Sequence, residues 1–335
     1  MLIYPHTGTK ATPITAQAHP GHAFWECAQE SGAVGLIISQ DWADLEPAHR
    51  AFDWSFLDEQ LALAAEHGLT LGLRIFVGGT AAPEWATKGC PIATVNGVGY
   101  VVPWAQGSAF YRRAVLEMWE TVARYYDGRL ALLQLSLIGT RQAELVLDDD
   151  GSATTLPTWC RPQDWEPAGL ASDAYSPDVH VLWAMEMIAA SLKCWRKTPL
   201  FLALNRMGFN ATHRNIWQDL GNPPAVPNPS EEVAARVLDW LAYLPSEDRE
   251  RVLPAWTGVS GNVTVEQRRL LDQIAYGGRS WLGGTCFDLE PTEILNDGDV
   301  QRAVALMRGY DARVVRLTTG VNKTAERHTL FAGLE

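Results

Sequence analysis

Long apolar runs are missing from this chain. No stretch of about 18 consecutive apolar residues occurs in its 335 residues, which excludes a membrane-spanning helix. The opening Met1-Leu-Ile-Tyr-Pro-His-Thr-Gly-Thr-Lys10 has no apolar core behind a basic head, so it does not read as an export signal. Cytoplasmic synthesis is the expected default, and release by cell lysis or with a virus particle would leave the same trace. Basic residues are outnumbered: 27 Lys and Arg face 39 Asp and Glu, a net charge of -12. That balance argues against a nucleic-acid partner, whose phosphates call for a basic face. Cysteines are few, odd in number and scattered (Cys27, Cys90, Cys160, Cys194, Cys286), which fits reduced thiols better than a disulfide framework.

The usual local signatures of metal and cofactor chemistry are also absent. The eight histidines show no His-Glu-x-x-His spacing and no Cys-x-x-Cys occurs, so no zinc site is expected. Gly97-Val-Gly99 lacks the third glycine of a dinucleotide fingerprint, and Gly8-Thr-Lys10 lacks the leading glycine of a phosphate loop. No Gly-x-Ser-x-Gly elbow is present. The reading therefore requires no cofactor. The sequons at Asn210, Asn262 and Asn322 matter only in a secretory pathway.

What the chain does have is a strand-helix-strand unit near its start. Gly35-Leu-Ile-Ile-Ser39 breaks into Gln40-Asp41-Trp42-Ala43-Asp44-Leu45-Glu46-Pro47 and then Phe52-Asp53-Trp54. A helix-period segment from Leu57 to His67 closes at Gly68, and a second apolar run, Leu69 to Val77, breaks at Gly78-Gly79 and ends in Pro83-Glu84-Trp85. With no hairpin signal between the strands, this is a βαβ unit. Trp-x-x-Leu-Glu-Pro, Phe-Asp-Trp-x-x-Leu-Asp, a Gly-closed helix, an apolar strand and Ala-Ala-Pro-Glu-Trp together resemble the β2-α2-β3 region of clan A glycoside hydrolases, with the family 42 β-galactosidases closest. The resemblance covers roughly residues 14–150. It implies a (β/α)8 TIM barrel, a carbohydrate substrate and hydrolysis of an O-glycosyl bond.

The rest of the chain accommodates that barrel. Ile14 to Ala18 is expected as the first strand, with a helix near Phe24 to Ser31. After Trp85 comes a glycine-rich excursion, Lys88 to Gly107, and then apolar residues at helical spacing from Phe110 to Tyr126. Leu130 to Ile138 reads as a strand buried on both faces. Val179–Trp195 and Glu231–Leu244 read as helices, Pro199–Leu204 and Arg251–Val259 as strands five and six. Val265–Tyr276 is a helix, Ser280–Leu289 a seventh strand, Val300–Tyr310 a helix, and Arg313–Thr318 the strand that closes the barrel. No linker, heptad or repeat divides the chain, so residues 1–335 read as a single domain; a barrel needs roughly 250 residues. Two long loops, Asp148–Asp178 after strand four and Gly208–Ser230 after strand five, fall on the strand-to-helix side and carry Trp159, Trp165, Tyr175, His213 and Trp217. Fourteen tryptophans make aromatic platforms for sugar rings an expectation; the alternative is that these rings staple loops to the barrel.

Retaining glycoside hydrolysis needs two carboxyl groups about 5 to 5.5 Å apart, one as acid/base and one as nucleophile. The resemblance implies that they follow strands four and seven: Glu144, in Gly139-Thr-Arg-Gln142-Ala143-Glu144, as acid/base, and Glu290, in Phe287-Asp288-Leu289-Glu290-Pro291, as nucleophile. Asp288 and Glu293 compete with Glu290. The family has Asn immediately before the acid/base; Ala143 stands there in this chain, leaving Gln142 or Asn205 to hold the sugar 2-hydroxyl. Asp41, Trp42, Arg74, Trp85 and Trp256 complete the expected substrate contacts. Arg74 reaches the rim if its strand continues through Val77, and otherwise serves as an ion-pair partner. Glu46 and Glu84 are expected to hold loops, by pairing with Arg50 or Arg74. A second reading, from a different class, is a barrel that binds carbohydrate without cutting it, such as a virus tail component docking on a cell-surface glycan.

Overall fold

The computed structural model describes residues 2–9, 25–26, 28–29, 33–78, 81–95, 98–101, 103, 105–135, 177–203, 229–256, 285–289, 305 and 312–318. Strand β1 is Leu2–Thr9, β2 is Gly35–Asp41 and β3 is Thr70–Phe76. A side hairpin, β4 Ile92–Val95 and β5 Val98–Val101, pairs antiparallel within the expected glycine-rich excursion. Then come β6 Leu132–Gln134, β7 Leu200–Ala203, β8 Val252–Trp256, β9 Thr285–Leu289 and β10 Ala312–Thr318. All but the hairpin pair in parallel and close into an eight-stranded barrel in the order β1-β2-β3-β6-β7-β8-β9-β10, with β10 returning to β1.

Between the strands lie helices α1 Trp42–Leu45, α2 Ser55–Glu66, α3 Glu84–Thr87, α4 Ala109–Tyr126, α5 Pro177–Cys194, α6 Pro229–Ala242 and α7 Ser246–Arg249. The start of α2 is marked by Asp53, whose Oδ1 accepts from the backbone N–H and the hydroxyl of Ser55 at 3.0 and 2.6 Å. It stops at Gly68, whose φ of 65° lets the chain turn through the left-handed region that a side chain resists. Helices α5 and α6 each begin at a proline, where a missing N–H costs nothing because the first helical N–H groups have no intrahelical partner. No helix among the described residues is long and apolar enough to cross a membrane.

The strands sort their side chains by period two into two layers. Leu36 and Ile38 of β2, Leu71, Leu73 and Ile75 of β3, Leu133 of β6 and Leu200 and Leu202 of β7 join the main cluster with helix residues such as Leu57, Val115, Met118 and Ile188. The residues of opposite parity, Ile37, Leu132, Phe201 and Ala255, form a separate cluster that fills the barrel interior. Because both faces are covered, the strands read as continuous apolar runs. Gly72 has interior parity, and a Cβ there would lie 2.9 Å from Ile37 Cγ1 and 3.0 Å from Leu132 Cδ1, so the packed interior leaves room only for glycine.

The first strand departs from expectation. It is Leu2–Thr9, whereas Ile14–Ala18 lies outside the described residues. Pro5 disguises it, since a residue without an N–H reads as a strand breaker. The register shows why it is tolerated: Leu2 to His6 pair with Val314 to Thr318 of β10, but pairing with β2 starts only at His6, opposite Ile37. Pro5 therefore stands where β1 has one registered neighbour. The strand expected over Leu130–Ile138 is β6 at its start, with residues from 136 onward outside the described set, as are Val265–Tyr276 and most of both long loops and of Val300–Tyr310.

Candidate active site

In a parallel barrel the functional end is where the strands run out toward their helices, and the described mouth is built from β2, β3 and β6. Counting by twos from Ile37 puts Ser39 and Asp41 on the interior face of β2; counting from Gly72 puts Arg74 and Phe76 on the interior face of β3; counting from Leu132 puts Gln134 on that of β6. Ser39, Arg74 and Gln134 share one level, since Ser39 is registered with Arg74 and Arg74 with Gln134. Asp41 stands one level higher, opposite Phe76. All four polar residues are buried, Arg74 at 9% exposed and Asp41 at 3%.

Arg74 Nε donates to Ser39 Oγ at 2.9 Å, and its guanidinium carbon lies 4.4 Å from the centre of the Phe76 ring. A guanidinium keeps its charge at any working pH, so it contributes a fixed cation within a water-poor site, where charge interactions are stronger than in bulk water. Above an apolar plug the barrel thus offers a hydroxyl, a carboxylate, a cation and an amide. Such a set can fix polar groups of a ligand by hydrogen bonds; it does not by itself break a bond. Among the described residues no group of three His, Cys, Asp or Glu is placed to hold a metal ion.

The expected site residues divide three ways. Asp41 and Arg74 are brought to the same interior face, and Arg74 points into the barrel although β3 ends at Phe76. Trp42 is a correction, whereas Trp85 is only half-buried. Trp42 has no exposed surface and its indole N–H donates to Glu46 Oε2 at 2.8 Å, while Trp85 meets it edge-on at 5.5 Å and donates to the Glu46 carbonyl at 3.1 Å. Fully enclosed Trp42 offers no face to a sugar; these two rings lock the connection after β2 onto the connection after β3. Glu46 does hold its loop, through the Arg50 backbone N–H at 2.7 Å, whereas the Arg50 guanidinium turns to Glu117. Trp256 ends β8, its backbone registered with Phe287. Glu144, Gln142, Asn205, Glu290, Glu293, Trp159, Trp165, Tyr175, His213 and Trp217 lie outside the described residues.

Sequence reasoning missed Ser39 and Gln134. Their signal was a single polar residue interrupting an apolar run at interior parity, Ile37-x-Ser39-x-Asp41 and Leu132-x-Gln134. A second anchor was also missed: the Tyr111 hydroxyl of α4 donates to the Val77 carbonyl at 2.6 Å, just past β3. Burial, with a smaller push from Cys90, holds that phenol well above its ordinary pKa, so it stays a donor.

Comparison with known proteins adds to this geometry. A family described as β-galactosidase, glycosyl hydrolase family 42, matches residues 31–137, the stretch that holds β2, β3, β6 and all four polar mouth residues. The chain resembles the family 42 glycoside hydrolases. The catalytic domain of β-amylase from Paenibacillus polymyxa superimposes with a TM-score of 0.61 at 12% identity, covering 97% of this chain and 94% of that one. The β-galactosidase of the psychrophilic Marinomonas ef1 does so with a TM-score of 0.57 at 13% identity, covering 99% of this chain but 59% of the longer enzyme. No curated protein sequence matches the chain. At these identities the superpositions establish a fold, the TIM barrel in which clan A glycoside hydrolases are built. The family 42-like segment holds three of the eight barrel strands, β2, β3 and β6, and is where the first sequence signals lay.

Proposed function

We propose that the protein hydrolyses a glycosidic bond with retention of anomeric configuration, Glu144 acting as acid/base and Glu290 as nucleophile. The glycoside hydrolase class rests on the family match over residues 31–137 and on the barrel. Strand order carries the assignment of the two glutamates. β6 is the fourth strand of the closed barrel and leads into the segment with Gln142 and Glu144; β9 is the seventh and ends at Leu289, one residue before Glu290. Glu144 and Glu290 themselves lie outside the described residues. The proposed mechanism requires the two carboxylates to face one glycosidic bond from different sides, one attacking carbon and one protonating the leaving oxygen.

The buried polar set at the described mouth suits substrate positioning. Arg74 offers donors and Asp41 acceptors, the combination that neighbouring sugar hydroxyls satisfy, while Gln142 or Asn205 takes the 2-hydroxyl in place of the asparagine that Ala143 replaces. Leaving-group protonation is worth roughly 100- to 10,000-fold in rate. Glu144→Gln should therefore lose about that factor on oligosaccharides yet keep its first step on aryl glycosides with good leaving groups, whereas Glu290→Gln should lose both. Kinetics on a panel of both substrate kinds checks this. Equal loss by Glu144→Gln on both kinds, with an unchanged melting temperature, would remove Glu144 from the acid/base role; affinity for glycans with no turnover by the native protein would favour the binding barrel.

A further inference from the structure

Outside the barrel, a groove of about 850 Å³ runs between the connection from Glu46 to Trp54 and the outer face of α4. Its walls combine flat rings with paired charges. Phe52 and Trp54 stack at 4.7 Å with planes 6° apart, and Trp54 continues to Tyr125, 4.8 Å away and 55% exposed. At the other end His49 lies 4.6 Å from Trp85. Along α4, Glu117, Glu120 and Arg124 follow at helical spacing and cover about 10 Å of the groove, enough for two linked pyranose rings. Arg50 pairs with Glu117 at 3.5 Å and Arg124 with Glu120 at 3.1 Å, all four side chains more than 40% exposed.

The chemistry of these walls is specific. Each guanidinium is matched by a carboxylate and Glu46 adds a third acid, so the groove is weakly negative and does not favour an anion. Each ion pair instead sets donors beside acceptors, which neighbouring hydroxyls of one ring satisfy together. The exposed Tyr125 ring, backed by the Trp54 and Phe52 stack, supplies an apolar platform on which the C–H face of a pyranose stacks. A cavity of this size lies within the range that small ligands occupy. None of the barrel-mouth residues Ser39, Asp41, Arg74 and Gln134 borders it.

We propose that this groove is a second carbohydrate site, which holds a neutral oligosaccharide chain on the outside of the barrel between the loop after α1 and helix α4. It goes beyond the hydrolytic reading and stands without it. Its effect is to keep the protein on a polymeric glycan while the mouth is empty.

Electrophoresis of the full chain through native gels containing soluble galactan, xylan or mixed-linkage glucan tests it. The expected result is retardation by at least one of the three polymers, weakened about tenfold in Tyr125→Ala and in Arg124→Ala and retained in Glu144→Gln. Both groove substitutions fall on exposed side chains, and thermal melts confirm that they leave the fold intact. Turnover of a small aryl glycoside should be the same in both as in the native protein. No retardation by any polymer, or retardation unchanged in both variants, overturns the proposal. Absence of aryl glycoside turnover with retardation intact and Tyr125-dependent would remove the hydrolytic reading alone.

Discussion

Both carboxylate oxygens of Glu46 are committed inside the protein, Oε2 to the Trp42 indole and Oε1 to the Arg50 backbone, and its carbonyl takes the Trp85 indole. One residue of the Leu-Glu-Pro motif thus organises two tryptophans that sequence reasoning had sent to the substrate. Only position separates a ring that stacks on a sugar from one that seals a loop, and position depends on residues distant in the chain. Asp41 and Trp42 are adjacent in sequence, yet Asp41 has interior parity while Trp42 opens α1 on the outer side. Removing the Glu46 side chain strands two N–H donors, one of them fully buried, at a cost of about 2–4 kcal/mol. Glu46→Ala should therefore lower the unfolding free energy measured by urea titration by that amount, with Glu46→Gln intermediate because it keeps one acceptor. A shift in Glu46→Ala below about 0.5 kcal/mol would show that solvent replaces these bonds.

The joint between helix α4 and the approach to β7 rests on Asp127. Its carboxylate accepts the backbone N–H groups of Arg196, Lys197 and Thr198, each at 2.9 Å, and the Thr198 hydroxyl accepts the Gly128 N–H at 2.8 Å. Burial opposes the charge on Asp127, but the hydrogen bonds from Lys197, Thr198 and Arg196 outweigh it and hold its pKa below the usual carboxylate value. The sign follows directly. With the folded pKa depressed, the clamp stabilises fully above the unfolded value, about 3.9, and that contribution fades as pH falls through the folded value. Solvent access weakens each bond, so Asp127→Ala should cost about 1–2 kcal/mol at neutral pH. Urea titrations of the two proteins should converge as pH is lowered below about 4. A difference that persists undiminished at pH 2 would assign the loss to packing and not to charge. This joint left little trace in the sequence, because Asp127 and Thr198 are 71 residues apart and a loop aspartate reads as solvated.

At the scale of the whole molecule, the barrel was legible because its strands are buried on both faces and its helices keep an apolar stripe. β2, β3, β7, β8 and β10 and helices α2, α4, α5 and α6 lie where the apolar periodicity predicts, within a few residues at each end. The first strand was not, because Pro5 removes the local signal and only closure against β10 explains the strand. The mouth was half legible. Asp41 and Arg74 announced themselves as charges at the ends of apolar runs, while Ser39 and Gln134 needed the register that places them beside Arg74. Retention by two glutamates on the fourth and seventh strands is the central claim, and the anomer first released by the native protein tests it most directly. Proton NMR of a fresh reaction on a cleavable aryl glycoside should show the product appearing in the same anomeric form as the substrate, before mutarotation mixes the two. Product released first in the opposite form, or no release from aryl glycosides of either configuration, would contradict the account.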